Sequence, residues 1–185
     1  MYTVFLIFLL AFSLFFGNWI YRTYKDRQLR LKELDEFVAL KQKTNKPTLN
    51  ISCGNTDYGD VNADVSAHPN LHGFVLYEPN KPLPFKNKEF GVVFSCHTIE
   101  HTDDPYFFEK ELRRVGDHVI LLYPHYMDMS AWTMFHKWVN VEGKWVKNPL
   151  FMQWVVDWVD RKNWWREPKN MREHARKLGL VKRKE

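Results

Sequence analysis

The sequence predicts an α/β fold: an open, largely parallel sheet carried behind an N-terminal transmembrane helix. Three observations predict it. First, Phe90-Gly91-Val92-Val93-Phe94 is a short apolar burst that follows the turn-rich KPLPFKNKE and stops at Ser95, Cys96 and His97. It is too short and too β-branched for a buried helix and reads as a buried strand. Polar groups just past the carboxyl end of a parallel strand are where open α/β sheets place their ligands. Second, HVILLY, His118 to Tyr123, is nearly continuously apolar, the pattern of a central strand, and it follows a helical pattern. Third, Tyr2 to Tyr21 carries no charge.

Taken in order, Tyr2 to Tyr21 is about 20 residues, which at 1.5 Å rise cover roughly the hydrocarbon thickness of a bilayer. Trp19, Tyr21 and Tyr24 form an aromatic belt at its inner end, and Arg22, Lys25, Arg27, Arg30 and Lys32 follow. There is no basic segment before the apolar run and no small-residue cleavage site after it, so it reads as an anchor rather than a cleaved signal. The basic flank puts the N-terminus outside and the rest on the cytoplasmic face. From Tyr24 to Lys43, Leu31, Leu34, Phe37, Val38 and Leu40 recur at near-helical spacing among charges, an amphipathic helix whose stripe packs on the domain or on a second copy. Pro47 ends it. The expected organisation is an anchor over 1–22, a juxtamembrane helix and linker over 23–47, and a soluble domain over 48–185.

Within the domain, TLNIS (Thr48 to Ser52) reads as a first strand with Cys53-Gly54-Asn55 as its turn. VNADV (Val61 to Val65) reads as a second strand carrying Asp64, and GFVLY (Gly73 to Tyr77) as a third that closes at Glu78-Pro79. Phe90 to Ser95 is the fourth. The interval between the first two strands is shorter than the roughly dozen residues a parallel crossover normally takes, so any crossover there is irregular. Thr102 to Val115 is an amphipathic helix with Thr102 as N-cap, Asp103 and Asp104 in its first turn and Pro105 near its start.

With 26% charged and 45% apolar residues the chain is not disordered as a whole. Two cysteines, Cys53 and Cys96, make no disulfide framework and point to a reducing compartment. A net charge of +5 lies mainly in the C-terminal tail and after the anchor, which suits a membrane surface; nucleic acid is not expected. No His/Cys/Asp cluster has metal-ligand spacing in the sequence, so no metal is expected.

From Thr48 to Pro124 the residues resemble the class I S-adenosylmethionine-dependent methyltransferases of the type 11 kind. TLNISCGN resembles their first strand and glycine loop, VNADV their second strand with its terminal acid, EPNKPLPFKNKEFGVVFSCHTIEH the run through the fourth strand to its Glu-His ending, and ELRRV with HVILLYP the next helix and fifth strand. The resemblance implies an abbreviated Rossmann-like methyltransferase sheet and S-adenosylmethionine as cofactor. It implies that Gly54 and the backbone from Ser52 through Cys53 to Asn55, with Asn50 in the strand before, face the methionine part. Asp64 accepts from the ribose hydroxyls, Glu78 or its neighbours lie by the adenine, and Ser95, Cys96 and His97 form the floor. Methyl transfer needs alignment more than proton handling; where the acceptor must lose a proton, His97, Glu100, His101 and His125 are the bases at hand. The sequence departs from the family pattern at Ser52 and Thr56, where glycine is usual, at Asn50 and Gly91, where an acid is usual, and at Gly116, where two glycines are usual. The alternative reading is therefore a catalytically degenerate, methyltransferase-like binding module at the membrane surface.

The C-terminal part, 124–185, is rich in tryptophan. FHKWVNVEGKWVK, Phe135 to Lys147, reads as a hairpin turning at Glu142-Gly143. Phe151, Trp154, Val155 and Trp158 fall on one helical face, and Asn170 to Leu178 reads as a helix ending at Gly179; ARKLGLVKRK resembles the helix-Gly-strand entry to the family's sixth strand. The tryptophans pack in the core and over the site, or lie on the bilayer. The expected partners are bilayer lipid, an acceptor of unspecified class and a second copy through the juxtamembrane stripe.

Overall fold

In the computed structural model of the chain, residues 2–68, 70–156 and 169–180 are described. Five strands form one sheet: β1 (Thr48–Ile51), β2 (Val61–Asp64), β3 (Phe74–Leu76), β4 (Phe90–Cys96) and β5 (Gly116–Leu122). Their order is β3-β2-β1-β4-β5, and every pairing is parallel. This is the Rossmann-like order. It reverses direction between β1 and β4, and ligands bind at the carboxyl ends beside such a switch point.

The parallel β1–β2 pair is made without a crossover helix. Residues 52–60 return along the sheet in irregular backbone, and a polar ladder holds them there. The Asn50 amide donates to Thr56 O (3.1 Å), Thr56 Oγ1 (2.9 Å) and Asn62 Oδ1 (3.2 Å), and the Asn62 amide donates to Asp57 Oδ1 (2.8 Å) and Gly59 O (3.1 Å). Gly59 lies so close to β1 that a Cβ would stand 2.7 Å from Asn50 N. Buried amides satisfied on all sides take the place of the apolar face of a helix.

A long helix, α1 (Tyr2–Lys41), supplies the missing layer. Leu34 and Phe37 are fully buried against Val92, Phe94, Ile120 and Leu122, with Tyr58 and, from α3 (Lys169–Lys177), Met171 and Ala175. The juxtamembrane stripe thus packs on the domain's own sheet. The opposite face carries α2 (Pro105–Val115), whose Phe108, Leu112 and Val115 meet Leu49, Ile51, Phe90 and Val93. The N-cap of α2 is Asp104 rather than Thr102: its side chain accepts from Phe107 N at 3.0 Å. Pro105 at the first helical position needs no partner for an N–H, so the cap falls one residue before it. Thr102 instead closes the short 3-10 turn Ile99–His101, its Oγ1 donating to Ile99 O at 2.8 Å.

α1 runs against the strands. Lys41 pairs with Asp60 at the amino edge (2.7 Å), Asp26 stands 3.5 Å from His97 at the carboxyl edge, and Arg22 reaches Met127 beyond it. Its N-terminal half, long and apolar enough to cross a membrane, therefore projects from the carboxyl edge of the sheet. The hairpin forms as expected, β6 (Trp138–Val141) against β7 (Lys144–Lys147). Glu142 and Gly143 both take positive φ (50° and 86°), the type I′ geometry. Residues 153–156 are helical; the expected continuation through Trp158 and the sixth-strand entry after Leu180 lie outside the described residues.

Candidate functional site

A cavity of about 610 Å³ opens at the carboxyl ends of β1, β2, β3 and β4. Ser52, Gly54 and Asn55 line it from the first turn, Asp64 from the end of β2, Tyr77 after β3, and His97, Thr98 and His101 after β4, with the start of α2 and Lys137 closing the far side. A second cavity of about 620 Å³ lies between α1 and the end of β5, lined by Tyr21, Arg22, Asp26, Tyr123 and His125. The larger volume carries no weight against position: the first cavity sits at the switch point of the strand order, where this architecture binds ligands.

The first turn is built for a close approach. Ser52 has φ 53° and Gly54 φ 51°, and a Cβ on Gly54 would meet nothing within 4 Å. Ser52 thus holds the left-handed backbone that glycine adopts freely, at a cost of roughly 1–2 kcal/mol. Its Oγ is tied to Tyr77 Oη at 2.8 Å. Asp64 is almost buried. One of its oxygens accepts from Gly54 N (2.8 Å) and the other from Ser66 N (3.0 Å), so the two turns fix the carboxylate while each oxygen keeps a further lone pair.

Not all the expected residues reach this space. Asn50 is turned into the crossover ladder described above. Cys53 is buried, and burial pushes its thiol up to about 12. Ser95 is fully buried within β4. Cys96 packs toward α1, where burial likewise pushes its thiol up to about 12. The expected floor of Ser95, Cys96 and His97 thus reduces to His97, because side chains of a strand alternate between faces and only the residue beyond its end turns into the cavity. Glu78 is exposed and paired with Lys81 at 2.5 Å; its neighbour Tyr77 takes the wall instead. Glu100 is wholly buried behind the cavity.

Behind the cavity wall lies a cluster of ionisable groups. His97 Nδ1 is 3.3 Å from Glu100 Oε1. Burial alone would lower the His97 pKa, but the Asp26 and Glu100 carboxylates outweigh it and hold it above the ordinary histidine value. Burial would raise Glu100, yet His97 and the neighbouring histidines hold it below the usual carboxylate range. His136 is pushed down to about 4 by burial, so it is neutral near pH 7. Its ring meets that of His101 edge to face, centroids 4.8 Å apart. Sequence reasoning did not find Tyr77 or His136. Tyr77 was open to it, as the last residue of the third apolar run. His136 comes from a loop far along the chain, and no spacing rule reaches it.

Residues 48–118 match the family model described as a methyltransferase domain. The segment is a class I methyltransferase-like domain. No curated protein and no solved structure matches the chain. The methyltransferase-like segment holds β1 to β4, α2 and the start of β5, and with them Ser52, Gly54, Asp64, Tyr77, His97 and Glu100-His101. Two regions built against it, the α1 layer and the loops that bring His136, lie outside the match.

Proposed function

We propose that the protein is a membrane-anchored methyltransferase that takes its methyl group from S-adenosylmethionine and passes it to a lipid or membrane-associated acceptor. The observation that carries this is the cavity itself: open space over Gly54 beside a fixed Asp64, at the switch point of a methyltransferase-like segment. The residues fit the cofactor. Gly54 leaves open space where a side chain would otherwise stand, and Asp64 offers carboxylate acceptors suited to ribose hydroxyls. When bound, S-adenosylmethionine supplies a methyl group on a positively charged sulfur. Gly54, Asn55 and Ser52 would hold its amino-acid part, and Tyr77 would flank its adenine. The chain's own contribution is orientation and exclusion of water, which alone can lower a barrier by several kcal/mol. The Asp26 and Glu100 carboxylates, which raise the His97 pKa, favour its hydrogen-bond-donating form over the form that acts as a base. Glu100 does not reach the cavity and cannot take an acceptor's proton directly.

The acceptor class rests on direction. The apolar half of α1 projects from the same edge of the sheet as the cavity. Exposed Met127, Met129 and Met134 lie in the loop that meets Arg22 of α1, and Met152 is hydrogen-bonded to that loop at Met134 O (2.7 Å). Seated by α1, with its basic flank Arg22 to Lys32 on the cytoplasmic side, the domain turns its site toward the lipid. A second reading, a binding module without catalysis, is favoured by one observation: the Ser52–Tyr77 hydrogen bond closes with side chains a turn that glycine would leave open.

Titration calorimetry of the full chain in detergent, with S-adenosylmethionine and S-adenosylhomocysteine, tests the proposal. Binding of both supports it, and absence of binding at millimolar cofactor refutes it. Methylation of a membrane extract with isotopically labelled methyl donor then separates enzyme from module: label in a lipid or membrane protein is expected of the former only.

A further inference from the structure

We propose that Glu100, His101 and His136 form a binding site for a first-row divalent metal ion of the zinc type. One donor atom from each lies within 4.8 Å of the others. Glu100 is 1% exposed, and among the described residues neither of its oxygens has a hydrogen-bond partner. The His97 imidazole stands 3.3 Å away but outside hydrogen-bond alignment. A buried carboxylate whose oxygens accept no hydrogen bond is costly even beside an imidazole, and a cation coordinated directly would complete it.

Both histidines are set up as ligands. His101 Nδ1 faces Phe135 O at 3.0 Å and His136 Nδ1 faces Ala131 O at 3.2 Å. A carbonyl only accepts, so each Nδ1 carries a proton, and in the neutral ring Nε2 is then the nitrogen that offers a lone pair to an ion. That arrangement, a backbone carbonyl fixing tautomer and ring orientation, is how metal-bound histidines are held from behind. The backbone brings the three together across the fold. Glu100 and His101 share the 3-10 turn after β4. Lys137 N donates to Glu100 O at 2.8 Å, which pins the His136 loop onto that turn, and the Asn148 amide donates to Thr133 O (2.8 Å) and His136 O (2.9 Å) to hold the loop's shape.

The donor set selects the ion. Two imidazoles and one carboxylate suit zinc and its first-row neighbours, whereas calcium and magnesium take oxygen ligands. With bonds of about 2.0–2.2 Å, ligand atoms in a tetrahedron stand about 3.3–3.6 Å apart, so separations of up to 4.8 Å close by as much as about 1.5 Å on binding. Three protein ligands leave one coordination position, as in catalytic rather than structural zinc sites. His101 is the member that also lines the cavity, so that position goes to water or to an oxygen of a molecule in the cavity. The inference holds whether or not the cavity takes S-adenosylmethionine.

The full chain, without a histidine tag, is stripped with a chelator in detergent and dialysed against micromolar zinc or cobalt. Elemental analysis of the wild type is expected to give about one metal per chain, with a visible absorption band for bound cobalt. Glu100→Gln and His101→Asn should each weaken binding by more than the roughly 10–100-fold that loss of an outer partner costs. His125→Asn, an exposed histidine outside the cluster, should leave it unchanged. A urea midpoint for each variant checks folding, and half-buried His101 decides the matter if Glu100→Gln is unstable. Wild-type protein that retains no metal, or undiminished retention in both variants, overturns the proposal.

Discussion

At the amino edge of the sheet, Asp60 accepts from Thr48 N and Thr48 Oγ1 and pairs with Lys41, Lys46 bridges Lys88 O and Asp117, and Arg114 ties Glu111 to Leu83 O and Phe85 O. At the carboxyl edge, Glu100 and Ser95 are buried with side-chain oxygens that meet no hydrogen-bond partner. The buried unpartnered side-chain atoms among the described residues all belong to Arg22, Ser95, His97 and Glu100, at or beyond the end of β4. Native proteins satisfy nearly every buried polar group, and exceptions cluster where a ligand, ion or water completes them. One edge is therefore closed by its own hydrogen bonds and ion pairs, and the other keeps buried polar atoms for a ligand, ion or water to complete.

The sharpest way to break this contrast is to remove one charged side chain from each edge. Asp64→Ala at the carboxyl edge should lower affinity for S-adenosylhomocysteine by about 100-fold or more, since each hydrogen bond to a charged group is worth about 1.5–3 kcal/mol. Unchanged affinity would remove Asp64 from the ribose role. Arg114→Ala at the amino edge should act on stability instead. It leaves buried Glu111 without its cation and frees the Leu83–Phe85 carbonyls, at a cost of about 2–3 kcal/mol after allowing for the partial exposure of Arg114. A urea midpoint within error of wild type would show that the clamp between α2 and the LPF turn is dispensable.

That clamp also shows what was legible in the sequence. KPLPFKNKEFG and ELRRV are separate motifs on the page. In the fold they are one device, since Glu111 accepts from Leu83 N at 2.8 Å and Arg114 donates to the carbonyls beside it. The strands, the hairpin and the α1 stripe could be read because each has its own periodicity. The helix-free β1–β2 crossover could be noticed but not explained, because its stability comes from two asparagines, Asn50 and Asn62, whose partners are set by tertiary placement. At the site, the strand pattern put polar residues at strand ends, and the resemblance picked out Ser52, Gly54, Asn55 and His97 among them. Ser95 and Cys96, picked out with them, do not line the cavity, because β4 runs on to Cys96 and its last side chains alternate into the two layers. His136 reaches the cluster through tertiary contacts, among them the main-chain bond from Lys137 N to Glu100 O.

The same two edges can be told apart by the bilayer. With the full chain in nanodiscs, an environment-sensitive fluorophore on Met127→Cys should be quenched severalfold more by brominated acyl chains than one on Lys46→Cys, at the far edge. The native thiols of Cys53 and Cys96 are held protonated by burial, so labelling should be selective. Equal quenching at both positions would contradict a site that faces the membrane.

The smallest effect belongs to Asp60. Burial would raise its pKa, but hydrogen bonds from Lys41 and Thr48 outweigh that and hold it below the ordinary carboxylate value. A depressed folded-state pKa stabilises the fold above the unfolded value, near 3.9, and that contribution fades as pH falls through the folded value. Asp60→Asn should therefore be less stable than wild type at neutral pH, by under about 1 kcal/mol because the pair is solvent-screened. The gap should close below about pH 4, where the protonated acid and the amide are alike in charge. Urea unfolding of both proteins across that range reads it directly. A gap that stays constant from neutral to acid pH would mean that the carboxylate's charge does not hold the amino edge closed, and that shape and neutral hydrogen bonds do.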